Sequence, residues 1–183
     1  RYGSGQVDSK VSQSDSKADQ QKLAAKLQEV IASAGITTRN VAVGLPSQKV
    51  FTAVVDIDKL SSEELAKTIR YQADSLIPTP LSESKIDWSV IGNSPVAANK
   101  VEVLLSSVPN NFIEERLDLL ESIGLNVIAF EPDNLALARS MLTPEITTPC
   151  MVIDIGSKST DLVITMNGAP RLTRSIPTGS EAI

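Results

Sequence analysis

Apolar residues recur at helical spacing in several stretches of the chain, and apolar and polar residues alternate between them. A helix is predicted from about Ser16, because its apolar positions share one face and Gly35 suits the position after its end. Those positions are Leu23, Leu27, Val30, Ile31 and Ala34. A second helix begins at Ser61, which has capping-box spacing to Glu64, and must end before Pro78. Its apolar face is Leu65, Ile69, Ala73 and Leu76.

Two further helices and a set of short strands follow from the same patterns. Asn111 and Asp133 are predicted helix caps; the first helix ends at Gly124 and the second before Pro144. The predicted strands are 40–46 (buried), 50–56, 86–91, 101–108 and 127–130. Helices alternating with strands, some of them in hairpins, indicate an α/β or α+β fold.

The last part of the chain is predicted to be three strands joined by tight turns. A buried apolar strand at 151–153 leads into Asp-Ile-Gly-Ser-Lys-Ser-Thr at 154–160. A second strand at 162–166 is followed by Asn167-Gly168 and a third strand from Arg171. Asn-Gly between apolar runs is a strong hairpin signal, because both central residues of a type I′ turn need a positive φ.

The turn before the second strand has the chemistry of a phosphate clip. Gly156 lets the backbone approach a ligand closely, and the amides of Ser157, Lys158 and Ser159 can line a concavity for phosphate oxygens. The carboxylate of Asp154 is a hard oxygen ligand of the kind that Mg²⁺ prefers. The motif is similar to the second phosphate loop of the actin-like ATPases. The alternative is an ordinary hairpin whose Asp and Ser bond their own backbone.

Composition excludes several kinds of function. The chain of 183 residues has a net charge of −5, which argues against a nucleic-acid surface. It has no histidine, which excludes Ser-His and Cys-His nucleophiles and His-containing zinc sites. Its single cysteine, Cys150, is expected to be a packed thiol in a reducing compartment. Arg171 and Arg174 are expected to face solvent from a strand.

The order of the motifs resembles the type IV pilus assembly protein PilM family. The matching motifs are Val41 to Pro46, the corner Ile77-Pro78-Thr79-Pro80-Leu81, Ile86-Asp87-Trp88, Phe130-Glu131-Pro132, Asp154-Ile155-Gly156 and Arg174 to Gly179. The cell-division protein FtsA, a relative with the same plan, matches less well because its equivalent segment lacks this corner. Ser180 stands where the PilM family often has a second glycine.

The resemblance implies a partial actin-like, ribonuclease H-like fold of α/β (α+β) class with a small inserted βαββ-type subdomain. The expected divisions are a flexible lead-in at 1–15, first-lobe parts at 16–45 and 124–148, the inserted interaction subdomain at 46–123 and the first second-lobe strands at 149–183. The family's opening strands, with their own phosphate loop, are expected before Arg1. The second lobe is expected to continue after Ile183.

The resemblance also implies a nucleotide site. In the intact protein Asp154, Gly156, Ser157, Ser159 and Thr160 are expected to contact ATP phosphate and Mg²⁺, with Asp154 as the metal residue. The intact parent is then expected to be at most a weak ATPase, and this chain by itself to bind nucleotide poorly.

The implied role is a cytoplasmic scaffold, peripheral to the inner membrane and reaching it only through a partner. A groove near Tyr71, Pro78, Pro80 and Leu81 is expected to hold the N-terminal tail of a PilN-like membrane protein, although the prolines also suit a purely local turn. A pilus motor ATPase and a second copy paired through bare sheet edges are further candidate partners. The alternatives are an actin-like-fold phosphotransferase or phosphatase and an FtsA-like adaptor.

Overall fold

The computed structural model describes residues 1–12, 14, 16–143 and 145–182. The helices are α1 (Ser9–Ser12), α2 (Lys17–Ser33), α3 (Ser62–Leu76), α4 (Asn110–Ser122) and α5 (Asp133–Met141). The strands are β1 (Asn40–Leu45), β2 (Phe51–Asp58), β3 (Ser84–Asn93), β4 (Lys100–Pro109), β5 (Asn126–Pro132), β6 (Cys150–Ile155), β7 (Thr160–Met166) and β8 (Ala169–Ile176). None of the described helices has the length and hydropathy needed to span a membrane. The mixed α/β class predicted from the sequence is confirmed.

The chain divides into two compact units. The first unit is Arg1–Val43 with Asn111–Phe130, and the second is Gly44–Asn110 with Glu131–Ile183. The predicted division into lobes and an inserted subdomain uses other boundaries and stays a prediction.

The first unit is built around α2 and α4. The side chain of Ser16 caps α2 by accepting from the amide of Asp19, and Gly35 follows the helix with a φ of 63°. β1 and β5 form a two-stranded sheet. The core has the buried residues Leu119, Leu120, Ile123 and Leu125, against which Leu23, Leu27, Ile31, Val41 and Val127 pack. The predicted apolar face of α2 therefore does reach a core.

Three details of this part of the chain differ from the prediction. The polar lead-in contains the short helix α1. β1 alternates between exposed and half-buried residues until Leu45, so it is not a buried strand. α4 begins at Asn110, which places Asn111 inside the helix instead of at its cap. Gly124 does follow α4, with a φ of 77°.

In the second unit, β2, β4 and β3 form an antiparallel sheet in that order, with α3 packed against it. The core residues that they share are Ile57, Leu65, Ile69, Ala73, Ile77, Val103 and Leu105. The capping box of Ser61 and Glu64 is present at the start of α3. Leu76, predicted on the apolar face, is 40% exposed, because α3 ends there and Ile77 takes the core position.

The strands β6, β7 and β8 form a second antiparallel sheet in the same unit. Asn167 and Gly168 have φ values of 55° and 71°, which confirms the Asn-Gly turn between β7 and β8. One face of this sheet buries Val152 and Val163 against Ala138 of α5. The other face exposes Met151, Ile153, Ile155, Leu172 and Ile176. The prediction of a buried β6 was therefore wrong for every second residue.

Two polar contacts of the second unit correct the sequence analysis. Arg171 does not face solvent, because its guanidinium pairs with Glu102 and both side chains are largely buried. Asp133 is the first residue of α5, after Pro132, and not its cap. Its carboxylate accepts from the amide and hydroxyl of Ser47 and from the amide of Asn134. Pro144, which was predicted to stop α5, lies outside the described residues.

Candidate functional site

The Asp-Ile-Gly-Ser motif lies at the closed end of the hairpin formed by β6 and β7. Asp154 is directly opposite Asp161 in the strand register, and Ile155 is opposite Thr160. Residues 156–159 close the hairpin, and the amide of Gly156 donates to the carbonyl of Ser159 over 2.9 Å. The strand–turn–strand arrangement on which the predicted phosphate clip depends is therefore present.

The turn of this clip is open to solvent. Ser157 and Lys158 are exposed, and Gly156 is half-buried. The carboxylate-bearing residue Asp154 at the end of β6 is also exposed. The turn therefore lies at the protein surface, as a phosphate-binding turn must, and its contact with phosphate stays a prediction.

A bracing segment, residues 178–181, packs against the back of the clip. The amide of Ser180 donates to the carbonyl of Gly156 over 2.9 Å, and the amide of Glu181 donates to the carbonyl of Ser157 over 3.0 Å. Two carbonyl groups of the turn are thereby fixed by the chain that follows β8. This support was missed in the sequence analysis, because it joins residues 24 positions apart in the chain.

Gly179 is the residue of the bracing segment that lies closest to the clip. A Cβ at this position would stand 2.5 Å from the carbonyl oxygen of Gly156 and from the amide nitrogen of Lys158. Both atoms belong to the backbone and cannot move aside as a side-chain end can. The next residue, Ser180, donates its backbone amide to the clip and is itself exposed. The close approach therefore requires glycine at 179.

Two hydroxyl groups of the clip, those of Ser159 and Thr160, make internal hydrogen bonds. Thr160 donates from Oγ1 to the carbonyl of Thr178 over 2.8 Å, which ties β7 to the bracing segment. Ser159 donates from Oγ to Oδ2 of Asp161 over 3.2 Å. The predicted contacts of these two side chains with phosphate would replace or supplement these bonds. They stay predictions.

The acidic residues of the hairpin suit a hard cation only in part. The described residues contain no group of three or more Asp, Glu, Cys or His side chains placed to hold a metal ion. Asp154 could therefore act as a metal residue only with further oxygens beside acidic side chains, such as those of phosphate, water or neutral side chains. The cross-strand carboxylate of Asp161, which is 7% exposed, was not singled out from the sequence. The available signal was its position two residues before Val163, on the face that the strand buries.

The predicted partner-binding residues lie on α3 and on the corner that follows it. Tyr71 is 84% exposed on the surface of α3. Pro78 and Pro80 are exposed, whereas Leu81 packs against the core that α3 shares with the sheet of β2, β4 and β3. The structure therefore brings Pro78, Pro80 and Leu81 together in one turn. Leu81 has a structural contact whether or not it meets a partner.

Two grooves of the second unit run along β2, the edge strand of its sheet. The first has a volume of about 310 Å³ and lies between Phe51–Val54 and Pro170–Arg174. The second, of about 410 Å³, extends past Ser47 and Gln48 to Asn134 of α5. The hydroxyl groups of Thr52 and Thr173 contact each other where the two grooves meet. None of the residues predicted for partner binding lines either groove.

Comparison with known proteins gives both a family and a fold. The family model of type IV pilus assembly protein PilM matches residues 1–183, which is the whole chain. Among solved structures, the "PilM-PilN type IV pilus biogenesis complex" is similar over 90% of this chain and 50% of that chain, with a TM-score of 0.78 and 22% identity.

A second solved structure is similar in fold. It is the cytoplasmic domain of EpsL, described as an inner membrane component of the type II secretion system of Vibrio cholerae. It covers 84% of this chain and 56% of that chain, with a TM-score of 0.58 and 18% identity. The chain thus spans about half the length of the solved chains that it matches. Its fold is actin-like, and the chain belongs to the type IV pilus assembly protein PilM family.

Proposed function

We propose that this chain is part of an actin-like adaptor of type IV pilus assembly. In this proposal it docks the N-terminal tail of a PilN-like inner-membrane protein, and the intact parent binds ATP with Mg²⁺. The adaptor lies on the cytoplasmic side of the inner membrane and reaches the membrane through that partner. The family match supports the role in type IV pilus assembly, and the similarity to a solved PilM-PilN complex supports the partner.

The observation that carries the docking proposal is the pair of grooves along β2. In its sheet, β2 has β4 on one side and forms the edge on the other. An extended peptide can add main-chain hydrogen bonds to such an edge and place alternate side chains in apolar recesses. Phe51, Ala53 and Leu104 provide apolar lining, and the groove past Ser47 and Gln48 adds polar groups.

The second docking element is the surface of α3 and the proline corner. Tyr71 offers an aromatic ring that is almost fully exposed, and aromatic residues are enriched where protein interfaces gain their affinity. Pro78 and Pro80 present a rigid, exposed turn beside Leu81. We infer that the tail contacts this surface as well as β2.

For the nucleotide, we infer that the clip supplies one of two phosphate loops. Asp154, Gly156, Ser157, Ser159 and Thr160 are the residues that would hold phosphate and, through Asp154, Mg²⁺. The metal would neutralise phosphate charge, as it does in phosphoryl-transfer sites generally. The exposed turn and its fixed carbonyl groups support this role. With one loop of two, the 183-residue chain should not bind Mg-ATP with micromolar affinity in a calorimetric titration.

Two further contacts complete the proposed role. A pilus motor ATPase would meet the same adaptor, and a second copy could pair with one of the strand edges. Size-exclusion chromatography with light scattering tests the second copy directly, because a monomer at high concentration would contradict it.

The docking proposal is tested with a synthetic peptide of a PilN-like N-terminal tail. Fluorescence anisotropy of the labelled peptide should rise saturably with this chain and not with a scrambled peptide. Ala53→Asp, which places a charge in the groove along β2, should abolish binding, and Tyr71→Ala should weaken it roughly tenfold. Asp118→Asn, an exposed carboxylate of α4 in the first unit, is the matched control. Full binding by the Ala53→Asp chain, with an unchanged circular dichroism spectrum, would reject the groove.

A further inference from the structure

Three buried side-chain oxygens without a hydrogen-bond partner belong to β7, β8 and the start of α5. They are Oδ1 of Asp161, Oγ of Ser175 and Oδ1 of Asn134. Asp161 and Asn134 are 7% and 5% exposed, so neither is a surface group that water would freely solvate. A buried polar atom without a partner destabilises the folded state, and more so when it carries charge. A ligand that contacts all three oxygens would remove this destabilisation.

The strand register places two of these oxygens in one row. Asp154, Asp161 and Ser175 are directly opposite one another on β6, β7 and β8. Side chains at opposite positions of antiparallel strands stand about 5 Å apart on one face of the sheet. Two carboxylates placed opposite each other repel unless something positive lies between them or beside them.

The third oxygen reaches the same region from α5. Ser175 and Asn134 both line the groove of about 410 Å³ at this end of the second unit. The groove therefore gives solvent access to Ser175, at the β8 end of the row. The hydrogen bond from Ser159 occupies only Oδ2 of Asp161, which leaves Oδ1 as the charged atom without a donor.

We propose that Asp161, Ser175 and Asn134 bind a hard divalent cation of the Mg²⁺ class, with Asp154 adding its charge from the neighbouring strand. A carboxylate, a hydroxyl and an amide carbonyl are all oxygen ligands, the kind that such cations select, and water fills the remaining positions. The cation is held by protein side chains and needs no nucleotide. It would lie behind the clip, joining α5 to the sheet on which the clip is built.

Thermal unfolding of this chain, without nucleotide, tests the proposal. Replacing EDTA by millimolar MgCl₂ at constant ionic strength should raise Tm by roughly 2–4 °C, because the cation binds the folded state only. A parallel series with CaCl₂ shows whether the site selects the smaller ion. Asp161→Asn should remove the shift, and Ser175→Ala should reduce it. Asp74→Asn, an exposed carboxylate of α3, should retain it in full.

Several results would overturn the proposal. These are no shift in the natural chain, a full shift in Asp161→Asn, or an equal loss in Asp74→Asn. If Asp161→Asn does not fold, Mn²⁺ added to the natural chain decides the matter. Paramagnetic broadening in its NMR spectrum should centre on the amides of Asp161 and Ser175. Broadening confined to Asp154 and the turn would assign the cation to the exposed clip instead.

The test of the cation site is independent of the test of the docking proposal. Peptide binding is measured in EDTA, and the grooves along β2 do not require the cation. Failure of the Mg²⁺ shift with intact peptide binding would reject only the cation site. A Mg²⁺ shift without peptide binding would reject only the docking proposal.

Discussion

Gly179 and Gly156 meet backbone to backbone, although 22 residues separate them. A Cβ on Gly179 would lie 2.5 Å from the carbonyl oxygen of Gly156, closer than a Cβ comes to such an atom in practice. The neighbouring amide of Ser180 donates to that same carbonyl. The conformation of the clip is therefore fixed by the chain beyond β8 as well as by its own turn.

Gly179→Ala should displace the turn and destabilise the second unit. Overpacking against atoms that cannot rotate away costs about 1–3 kcal/mol. Urea unfolding should show the loss as a lower midpoint with an unchanged slope. Ser180→Ala is the control, because Ser180 contributes only its backbone amide to the contact, and its stability should match that of the natural chain. Equal stability of Gly179→Ala and Ser180→Ala would contradict the packing described here.

The pair of Arg171 and Glu102 should be necessary to the second unit. Both side chains are largely buried, with 15% and 10% of their surfaces exposed. Removing one partner leaves the other charge buried and unpaired, which costs about 3–5 kcal/mol. Glu102→Gln should therefore unfold the chain at a much lower urea concentration. Glu63→Gln removes the exposed pair with Lys67 and should cost about 0.3–0.5 kcal/mol. Similar losses in the two variants would show that burial adds nothing here.

Because of Asp19, the free energy of unfolding of the chain should depend on pH in the acidic range. Hydrogen bonds from Lys22, Ser14 and Ser16 lower the pKa of Asp19 from 3.8 to about 2. Because the folded pKa is depressed, the stabilisation is complete above about pH 4 and is lost as the pH falls towards 2. Urea unfolding across this range should give a flatter dependence for Asp19→Asn. Lys22→Gln, which removes the first of these donors, should fall between Asp19→Asn and the natural chain. An unchanged acid slope in Asp19→Asn would assign the slope to other carboxylates.

The sequence predicted local structure well where one short segment decides it. The capping box of Ser61 and Glu64 depends on residues three apart, and the positive φ of Asn167 and Gly168 follows from their own chemistry. The hairpin around Gly156 was predictable for the same reason. Such features need no knowledge of what packs against them.

The errors arose where a distant partner decides the outcome. Nothing near Arg171 in the chain reveals Glu102, so an arginine on a strand was assigned to solvent. An apolar run at β6 was interpreted as buried on both faces, whereas only Val152 meets α5. The side chains beside Asp161 were also not predictable, because Asp154 and Ser175 become its neighbours only through the pairing of β6, β7 and β8.

The two faces of the sheet of β6, β7 and β8 should respond differently to truncation. Val163 is 1% exposed and packs against Ala138 and Val152, so Val163→Ala removes buried methyl groups and leaves a cavity. We expect a loss of about 1–3 kcal/mol. Ile153, on the opposite face, is 54% exposed although it is just as apolar. Ile153→Ala should then cost less than about 1 kcal/mol.

Chemical unfolding of both variants against the natural chain measures this difference. If Ile153→Ala were as damaging as Val163→Ala, the outer face would be covered in solution. The same measurement at several protein concentrations would then show whether a second copy covers it, because only self-association makes the effect depend on concentration. Equal and small losses in both variants would instead mean that α5 does not pack on Val163 as described. The exposed apolar face is thus a property that two conservative substitutions can verify.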